Sequence, residues 1–508
     1  MRQQEDTTAA PKPDHGTNDT ILFWGCFIAL IATAFGFVVR AQVIGEWEME
    51  FNLSETQKGQ ILGAGLWPFA MSILLFGLIV DKVGYGKVMV FAFVCHVASA
   101  IVTIYATGYQ MLFWGTVLVA LGNGGVEGVV NPVVATMFPR EKTKWLSILH
   151  AGWPGGLVLG GILAIWMGDM VWQYKVALIF LPTVLYGLLF LGRRFPVQER
   201  VAAGISYREM LAEAGALGAF IIVGLTVLLL STVFNLTNVY VQYGIVIVIV
   251  GGFAAYVGSF GRPLFIFLIL IMIPLATTEV GTDSWITDLM TPVMTEMDFH
   301  PGWVLVYTAF IMMVLRLCPG PFLKRLTPLS LLAVSSGVAA VGLFALSIST
   351  GIGILIAATI FGFGKTFFWP ASIGVVAERF PKGGALTVNM IAAVGLLGVG
   401  VVGAPLMGNI QDRALDKNLE ASNPALHARV MGESKGKILG GYRALDHSKL
   451  EQATEEERAA ITAIENPAKK GALATVAILP VIMLVCYLIL MAYFRSIGGY
   501  KAEEISTA

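Results

Sequence analysis

A carboxylate set among apolar residues is the first sign of chemistry in this sequence. Residues 121–161 read LGNGGVEGVVNPVVATMFPREKTKWLSILHAGWPGGLVLGG. Two apolar segments flank the polar loop 140–144. Each is long enough to cross a bilayer, which takes about 20 helical residues. The first carries Glu127 and the second His150. An ionisable residue at membrane depth costs about 2.5–3.5 kcal/mol on insertion scales, so it is expected to face a polar interior and to serve function. Asn123, Glu127 and Asn131 recur at every fourth position and stack on one helix face. Ser147, His150 and Pro154 share a face of the next helix, and the pairs Gly155-Gly156 and Gly160-Gly161 let another helix backbone come close. The pattern predicts a polar cavity wall built from two packed membrane helices.

Other positions could join that wall, each with a plainer alternative. Trp153 offers a ring for stacking a sugar, or else packs in the membrane. Glu279 and Asp283, four apart, line a cavity mouth or are solvated interface residues. Lys365 and Trp369 share a helix face opposite Glu127, unless Lys365 snorkels to the interface. His150 lines the cavity or makes a helix-packing hydrogen bond. Glu127 itself could be a structural carboxylate paired with Arg40. His96, amid residues 93–100 with no polar companion on its face, reads as structural. Gly364-Lys365-Thr366 lies inside an apolar helix without the earlier glycine of a nucleotide-binding loop, and Gly122-Asn-Gly124 follows no strand, so neither is a nucleotide motif. Cys26, Cys95, Cys318 and Cys486 lie in apolar segments without disulfide or zinc-ligand spacing. No cofactor, metal or enzymatic activity is expected, so transport should be driven by an ion gradient.

These residues must be positioned by membrane helices. The 508 residues are 56% hydrophobic and only 13% charged, where soluble domains are about a quarter charged. The formal net charge is zero, and nothing suggests a nucleic-acid partner. Fourteen apolar runs are expected as helices near 20–44, 57–80, 87–106, 110–137, 144–168, 174–192, 213–234, 241–259, 263–287, 302–318, 328–348, 352–377, 384–408 and 471–494. Residues 1–19, with Pro11 and Pro13, read as a disordered tail, and the first run lacks a cleavage site and is expected to be retained. Lys82, Lys87, Arg140, Lys142, Lys144, Arg193, Arg194, Arg200, Arg208, Arg262, Lys324, Arg325, Arg379 and Lys382 fall in alternate loops. The opposite loops carry Glu46, Glu48, Glu50, Glu55, Asp283, Asp288, Glu296 and Asp298. Cationic loops stay cytoplasmic, which places both termini inside and the mixed-charge insert 411–470 outside. Within that insert, 450–464 could form a polar surface helix.

The chain also repeats. Gly122 precedes Pro139 of a Phe-Pro pair by seventeen residues, as Gly364 precedes Pro381 of another, and Gly156 and Gly161 match Gly398 and Gly403 in register. Two repeated helical halves with a site between them form a common transporter design. The expected units are a first bundle at 20–192, a basic linker with two extra helices at 193–260, a second bundle at 261–494 and a tail at 495–508.

The stretch Gly77-Leu-Ile-Val-Asp81-Lys82-Val-Gly84-Tyr-Gly86-Lys87 resembles the signature between helices two and three of the major facilitator superfamily, departing from it at Tyr85-Gly86. Arg316-Leu-Cys-Pro-Gly320-Pro-Phe-Leu-Lys324-Arg325 is similar to the weaker counterpart in the second half. The resemblance implies an all-α fold of two pseudo-symmetric six-helix bundles, here with two inserted helices. It implies that Gly77, Asp81, Lys82, Gly84, Lys87 and Arg316 belong to gates. Asp81 would face the N-terminal end of a helix of the other half, where the dipole favours an anion. Glu127 with Asn131-Pro132, and Glu279 six residues before Trp285, resemble the fucose:proton symporter branch, in which the glutamate of helix four is linked to proton coupling and substrate binding. That branch carries an aspartate near the outer end of helix one, where this chain has Val38-Val39-Arg40.

The function these readings imply is proton-coupled import of a sugar or polyol by alternating access, with sodium as the other candidate ion. The alternatives are transport of an organic anion or sugar acid held by Arg40, and a transporter-like sensor that binds without translocating. The substrate or proton site would comprise Arg40, Asn123, Glu127, Asn131, His150, Trp153, Glu279, Asp283, Lys365 and Trp369. The expected setting is a monomer in the plasma (bacterial inner) membrane, with the lipid bilayer, a small-molecule substrate and the proton as its partners.

Overall fold

The computed structural model describes residues 16–283, 294, 302–435, 442–446, 449–450 and 453–505. The expectations for Pro11, Pro13, Trp285, Asp288, Glu296 and Asp298 fall outside the described residues. Among the described residues, thirteen helices are long and apolar enough to cross a membrane, and a fourteenth apolar helix is shorter. In chain order they are α1 (Thr17–Phe51), α2 (Gln57–Val83), α3 (Tyr85–Ile104), α4 (Tyr109–Met137), α5 (Lys142–Trp166), α6 (Trp172–Phe190) and α7 (Tyr207–Val233). There follow α8 (Val239–Val257), α9 (Pro263–Gly281), α10 (Trp303–Leu317, the short one), α11 (Pro328–Ile348), α12 (Gly353–Arg379), α13 (Pro381–Ser422) and α14 (Gly471–Ser496).

The helices form two groups. In the first, α1 packs on α4, α5 and α6, and α4 packs on α2 and α3. In the second, α11 packs on α12 and α14, and α13 packs on α9, which also meets α14. The seam between them is formed by α2 and α4 against α13 and by α5 against α10 and α12. The repeated glycines sit at matching crossings. A Cβ on Gly122 of α4 would lie 2.5 Å from the His96 ring of α3, and one on Gly364 of α12 would lie 2.3 Å from the Ala339 nitrogen of α11. Gly156 of α5 touches Ala34 of α1, and Gly398 of α13 touches Ile273 of α9. The extra pair is peripheral. α8 packs on α7, and α7 leans on α13. Gly215 of α7 adopts φ 57°, where the 258–261 turn docks and Ala216 N–H donates to Ser259 O at 2.8 Å.

Several boundaries differ from the sequence expectation, each for a local reason. α1 starts at Thr17, within the segment expected as tail, and runs to Phe51. Glu46, Glu48 and Glu50 are therefore helical rather than in a loop: Glu46 pairs with Lys175 at 2.6 Å, Glu48 with Lys58 at 2.6 Å, and Glu50 accepts from the Trp172 indole. α7 begins at Tyr207, because Ser206 and Glu209 form a reciprocal cap. α13 continues into the insert as far as Ser422. The insert then holds a helix at Pro424–Val430, a two-stranded hairpin of β1 (Met431–Lys435) and β2 (Tyr442–Leu445), and a helix at Glu455–Val476. That last helix begins at Glu455 rather than near 450, because Thr454 and Glu457 cap it. Leu419, Leu426, Val430, Met431 and Ile461 give the insert a small apolar core of its own.

Candidate functional site

Of the three α4 residues expected on the cavity wall, Asn123 and Glu127 line it and Asn131 is buried behind them, and proline chemistry ties this stretch to the other half. Pro132 has no N–H, so the carbonyl of Gly128 loses its helical donor. Asn389 of α13 supplies one across the seam at 2.9 Å. Next to Gly128, Glu127 is buried, and its Oε2 accepts from Asn131 Nδ2, one turn on, at 2.6 Å. His150 of α5 donates from Nε2 to Asn131 Oδ1 at 2.8 Å, so His150 makes a helix-packing bond and also lines the cavity. Asn123 accepts from His96 Nε2 at 3.0 Å, and the Tyr186 hydroxyl donates to His96 Nδ1 at 3.0 Å. His96 thus has polar companions, but they come from α4 and α6. A face-by-face reading of α3 alone does not find them.

Arg316 is the residue the sequence misplaces. Its motif assigns it to a gate, yet it is only 1% exposed at the centre of the molecule. Its Nη2 donates to Glu279 Oε1 at 2.6 Å, its Nε to Thr366 O at 2.6 Å and its Nη1 to His150 O at 3.2 Å. Two of these acceptors are again orphaned by proline, Thr366 O by Pro370 and His150 O by Pro154. The signal was present in the two prolines, but nothing in the sequence says which donor reaches them. Glu279 sits on a π-helical turn, Thr277–Gly281, a wide form that recurs at functional sites.

These side chains enclose a chamber of about 60 Å3, lined by Glu127, His150, Trp153, Glu279, Arg316 and Trp369 among others. It shares Phe37, Gly65, Leu66 and Asn123 with a second cavity of about 430 Å3, whose wall adds Arg40 and Asp283. The larger cavity lies toward the helix ends remote from the termini, bounded by Gln42, Ile61 and Gly302. Arg40 does not pair with Glu127. It donates to Ser99 Oγ at 2.6 Å, to Thr103 Oγ1 at 3.4 Å and to Gly36 O at 3.0 Å. Lys365 does not snorkel either. It is 0% exposed and pairs with Asp283, set behind the cavity lining while Trp369 lines the chamber. Among the described residues no group of three or more His, Cys, Asp or Glu is placed to hold a metal ion.

The end that carries the termini is sealed by bonds between the two groups. Thr143 Oγ1 of α5 donates to Glu378 Oε1 of α12 at 2.5 Å, and Lys142 Nζ donates to Ala377 O at 3.2 Å and to Glu199 at 2.7 Å. A Cβ on Gly77 of α2 would lie 2.9 Å from Asn389 Cβ of α13. Asp81 faces Arg200 of the linker at 2.5 Å rather than a helix N-terminus of the other half, which corrects the expectation. Lys82 lies over the Tyr207 ring at 4.1 Å, Gly84 turns the chain with φ 92°, and Lys87 is exposed on α3. The tail adds a strap: Tyr500 donates to Glu378 Oε2 at 2.7 Å, and Glu503 bridges Arg262 and Arg379, each at 2.8 Å. The Arg262 hydrogen bonds hold the Glu503 carboxyl below its ordinary range, and burial and the neighbouring Glu378 push the Tyr500 phenol up.

Residues 22–281 match the sequence model of the Major Facilitator Superfamily, which is half of the chain. The chain belongs to the major facilitator superfamily. Among solved superfamily structures, the Escherichia coli fucose:proton symporter superposes with a TM-score of 0.59 at 13% identity, over 92% of this chain and 98% of that one. A proton:xylose symporter superposes with a TM-score of 0.60 at 12% identity, over 93% and 95% of the two chains. At such identities the likeness shows the fold alone: an all-α superfamily fold. Among curated proteins, multidrug resistance protein D of Escherichia coli is 23% identical over 31% of this chain and 40% of its own length. The minor myo-inositol transporter of Bacillus subtilis is 24% identical over 24% of this chain and 29% of its own length. The match therefore spans less than half the length of these curated relatives.

Proposed function

We propose that this chain is a secondary active transporter that carries a small hydroxylated solute of the carbohydrate kind together with a proton, in a plasma membrane with both termini cytoplasmic. The halves 20–192 and 261–494 rock about the chamber. The sealed end is the cytoplasmic gate, and the 430 Å3 cavity is the outer vestibule. Glu127 carries the reading. It is a buried carboxylate on the chamber wall, held by the neutral amide of Asn131 rather than by a cation, so it can exist with or without its proton. Trp153 and Trp369, one from each half, supply apolar ring faces for a sugar, while Asn123 and Glu279 supply hydrogen-bonding groups. The fucose:proton and proton:xylose symporters named above share this fold, and the myo-inositol transporter shares part of its sequence.

The test is uptake by the purified protein in liposomes. An inward proton gradient should drive saturable accumulation of a labelled sugar or sugar acid above equilibrium. A panel of such solutes that binds without accumulating would favour a sensor and overturn transport.

A further inference from the structure

Among the described residues, the charges around the two cavities do not all find charged partners. Arg316 is matched by Glu279 at 2.6 Å and Lys365 by Asp283. Among the described residues two charged groups are left, Arg40 and Glu127, and each hydrogen-bonds to neutral groups only. Arg40 bonds Ser99, Thr103 and Gly36 O, and Glu127 bonds Asn131. Arg40 is 4% exposed, lines the 430 Å3 vestibule and leaves its Nε without a partner. Among the described residues no carboxylate lies within ion-pairing distance of it. An uncompensated buried cation is costly, and an anion relieves that cost.

We infer that Arg40 is a carboxylate-binding subsite and that the cargo is a hydroxylated monocarboxylate, moved with one proton so that no net charge crosses the membrane. This rests on the reading of Glu127 as the proton carrier. When Glu127 is ionised, the empty site is neutral, because Arg40 balances Glu127 and the two ion pairs cancel. A proton on Glu127 leaves one excess positive charge, that of Arg40, and a monoanion restores neutrality. A neutral sugar in the same site would force the loaded form to cross as a cation. The groups facing Glu127 are Asn131 on its own helix, His150 on α5, Glu279 on α9 and Arg316 on α10, with Asn123 and His96 one turn away. Of these, only Glu279 and Arg316 form an ion pair, and their charges cancel.

The experiment uses the full chain in detergent and in liposomes, with D-gluconate, D-glucuronate and D-galacturonate against D-glucose and D-galactose. In wild-type protein at least one carboxylate should raise the unfolding temperature more than its neutral counterpart. Arg40→Gln should weaken that binding by at least about 30-fold, the usual loss when one member of a buried charge pair is removed. Arg40→Lys, which keeps the charge but not the fork, should fall between. Should both variants misfold, the wild-type protein still decides the question. Uptake of the carboxylate should follow an imposed pH gradient yet ignore an imposed potential of about 100 mV, which would shift accumulation of a singly charged loaded form about 50-fold. Potential-driven uptake, or a neutral sugar binding as well as or better than every carboxylate, overturns the inference and leaves proton-coupled transport standing. A carboxylate that binds through Arg40 but never accumulates overturns transport and leaves the subsite.

Discussion

Arg316 on α10 donates to the main-chain oxygen of His150 on α5 at 3.2 Å, the oxygen that Pro154 leaves without a helical donor. The same guanidinium fills the matching vacancy below Pro370 and holds Glu279. One side chain therefore ties the two halves together at the level of the chamber. A rocking motion about that level would pivot where the carbonyls stay satisfied rather than where they break.

Arg316→Ala should cost about 3–5 kcal/mol of stability, because it strands a buried carboxylate and two carbonyls. Arg316→Lys should recover little, since an ammonium cannot present the planar fork that serves three directions. Heat unfolding in detergent reads both. A near-neutral Arg316→Ala would show that Glu279 and the two carbonyls find other partners.

Asn389 should matter only because Pro132 is there. Asn389→Ala leaves Gly128 O unpaired in the seam and should cost about 1–3 kcal/mol. Pro132→Ala gives Gly128 O a helical N–H, so Asn389→Ala in that background should cost less. Equal losses in both backgrounds would assign Asn389 to packing alone.

Asp81→Asn and Arg200→Gln should slow transport while leaving cargo binding close to wild type, since the pair sits at the sealed end and touches neither cavity. Parallel uptake and binding measurements separate the two effects. Normal uptake by both variants would detach the 77–87 signature from gating.

The tail strap should be pH-sensitive. The Glu503 carboxyl is held below its ordinary range, so its stabilising contribution is complete above the unfolded value of about 4.3 and is lost as pH falls through the lower folded value. Protection of the 500–505 amides, taken relative to their intrinsic exchange at each pH, should therefore be high at neutral pH and fall only in acid. Glu503→Gln should be exposed at both. Protection that is flat with pH in the wild type would remove Glu503 from the strap.

What the sequence revealed followed from local rules. Apolar runs located the helices while the caps that set their true starts went unread, and the 17-residue glycine to Phe-Pro spacing marked the matching crossings of α4 on α3 and α12 on α11. Spacing by fours put Asn123, Glu127 and Asn131 on one helix face, of which the first two line the cavity and Asn131 holds Glu127 from behind. What stayed hidden depended on contacts between distant segments. Nothing local to Arg316 distinguishes a gate cation from one aimed at Thr366 O and His150 O. His96 looked solitary because Asn123 and Tyr186 approach it from other helices. Asp81 was expected to meet a helix end, but the linker brought Arg200 instead. Arg40 suggested a partner for Glu127, and only the folded chain shows it drawn toward Ser99 and Thr103.

Glu127→Gln tests the mechanism most directly. Glutamine keeps the shape and the hydrogen bond to Asn131 but fixes the side chain in the neutral form that the protonated acid would have. If Glu127 loads and releases the transported proton, cargo and proton each favour the other by linkage, and the variant is frozen in the cargo-accepting state. Cargo binding should persist, exchange of bound for free cargo should continue, and accumulation against a gradient should vanish. Binding should also lose the pH dependence that the wild type shows. Accumulation at the wild-type rate with unchanged pH dependence would take the coupling away from Glu127 and leave it a structural acid bonded to Asn131.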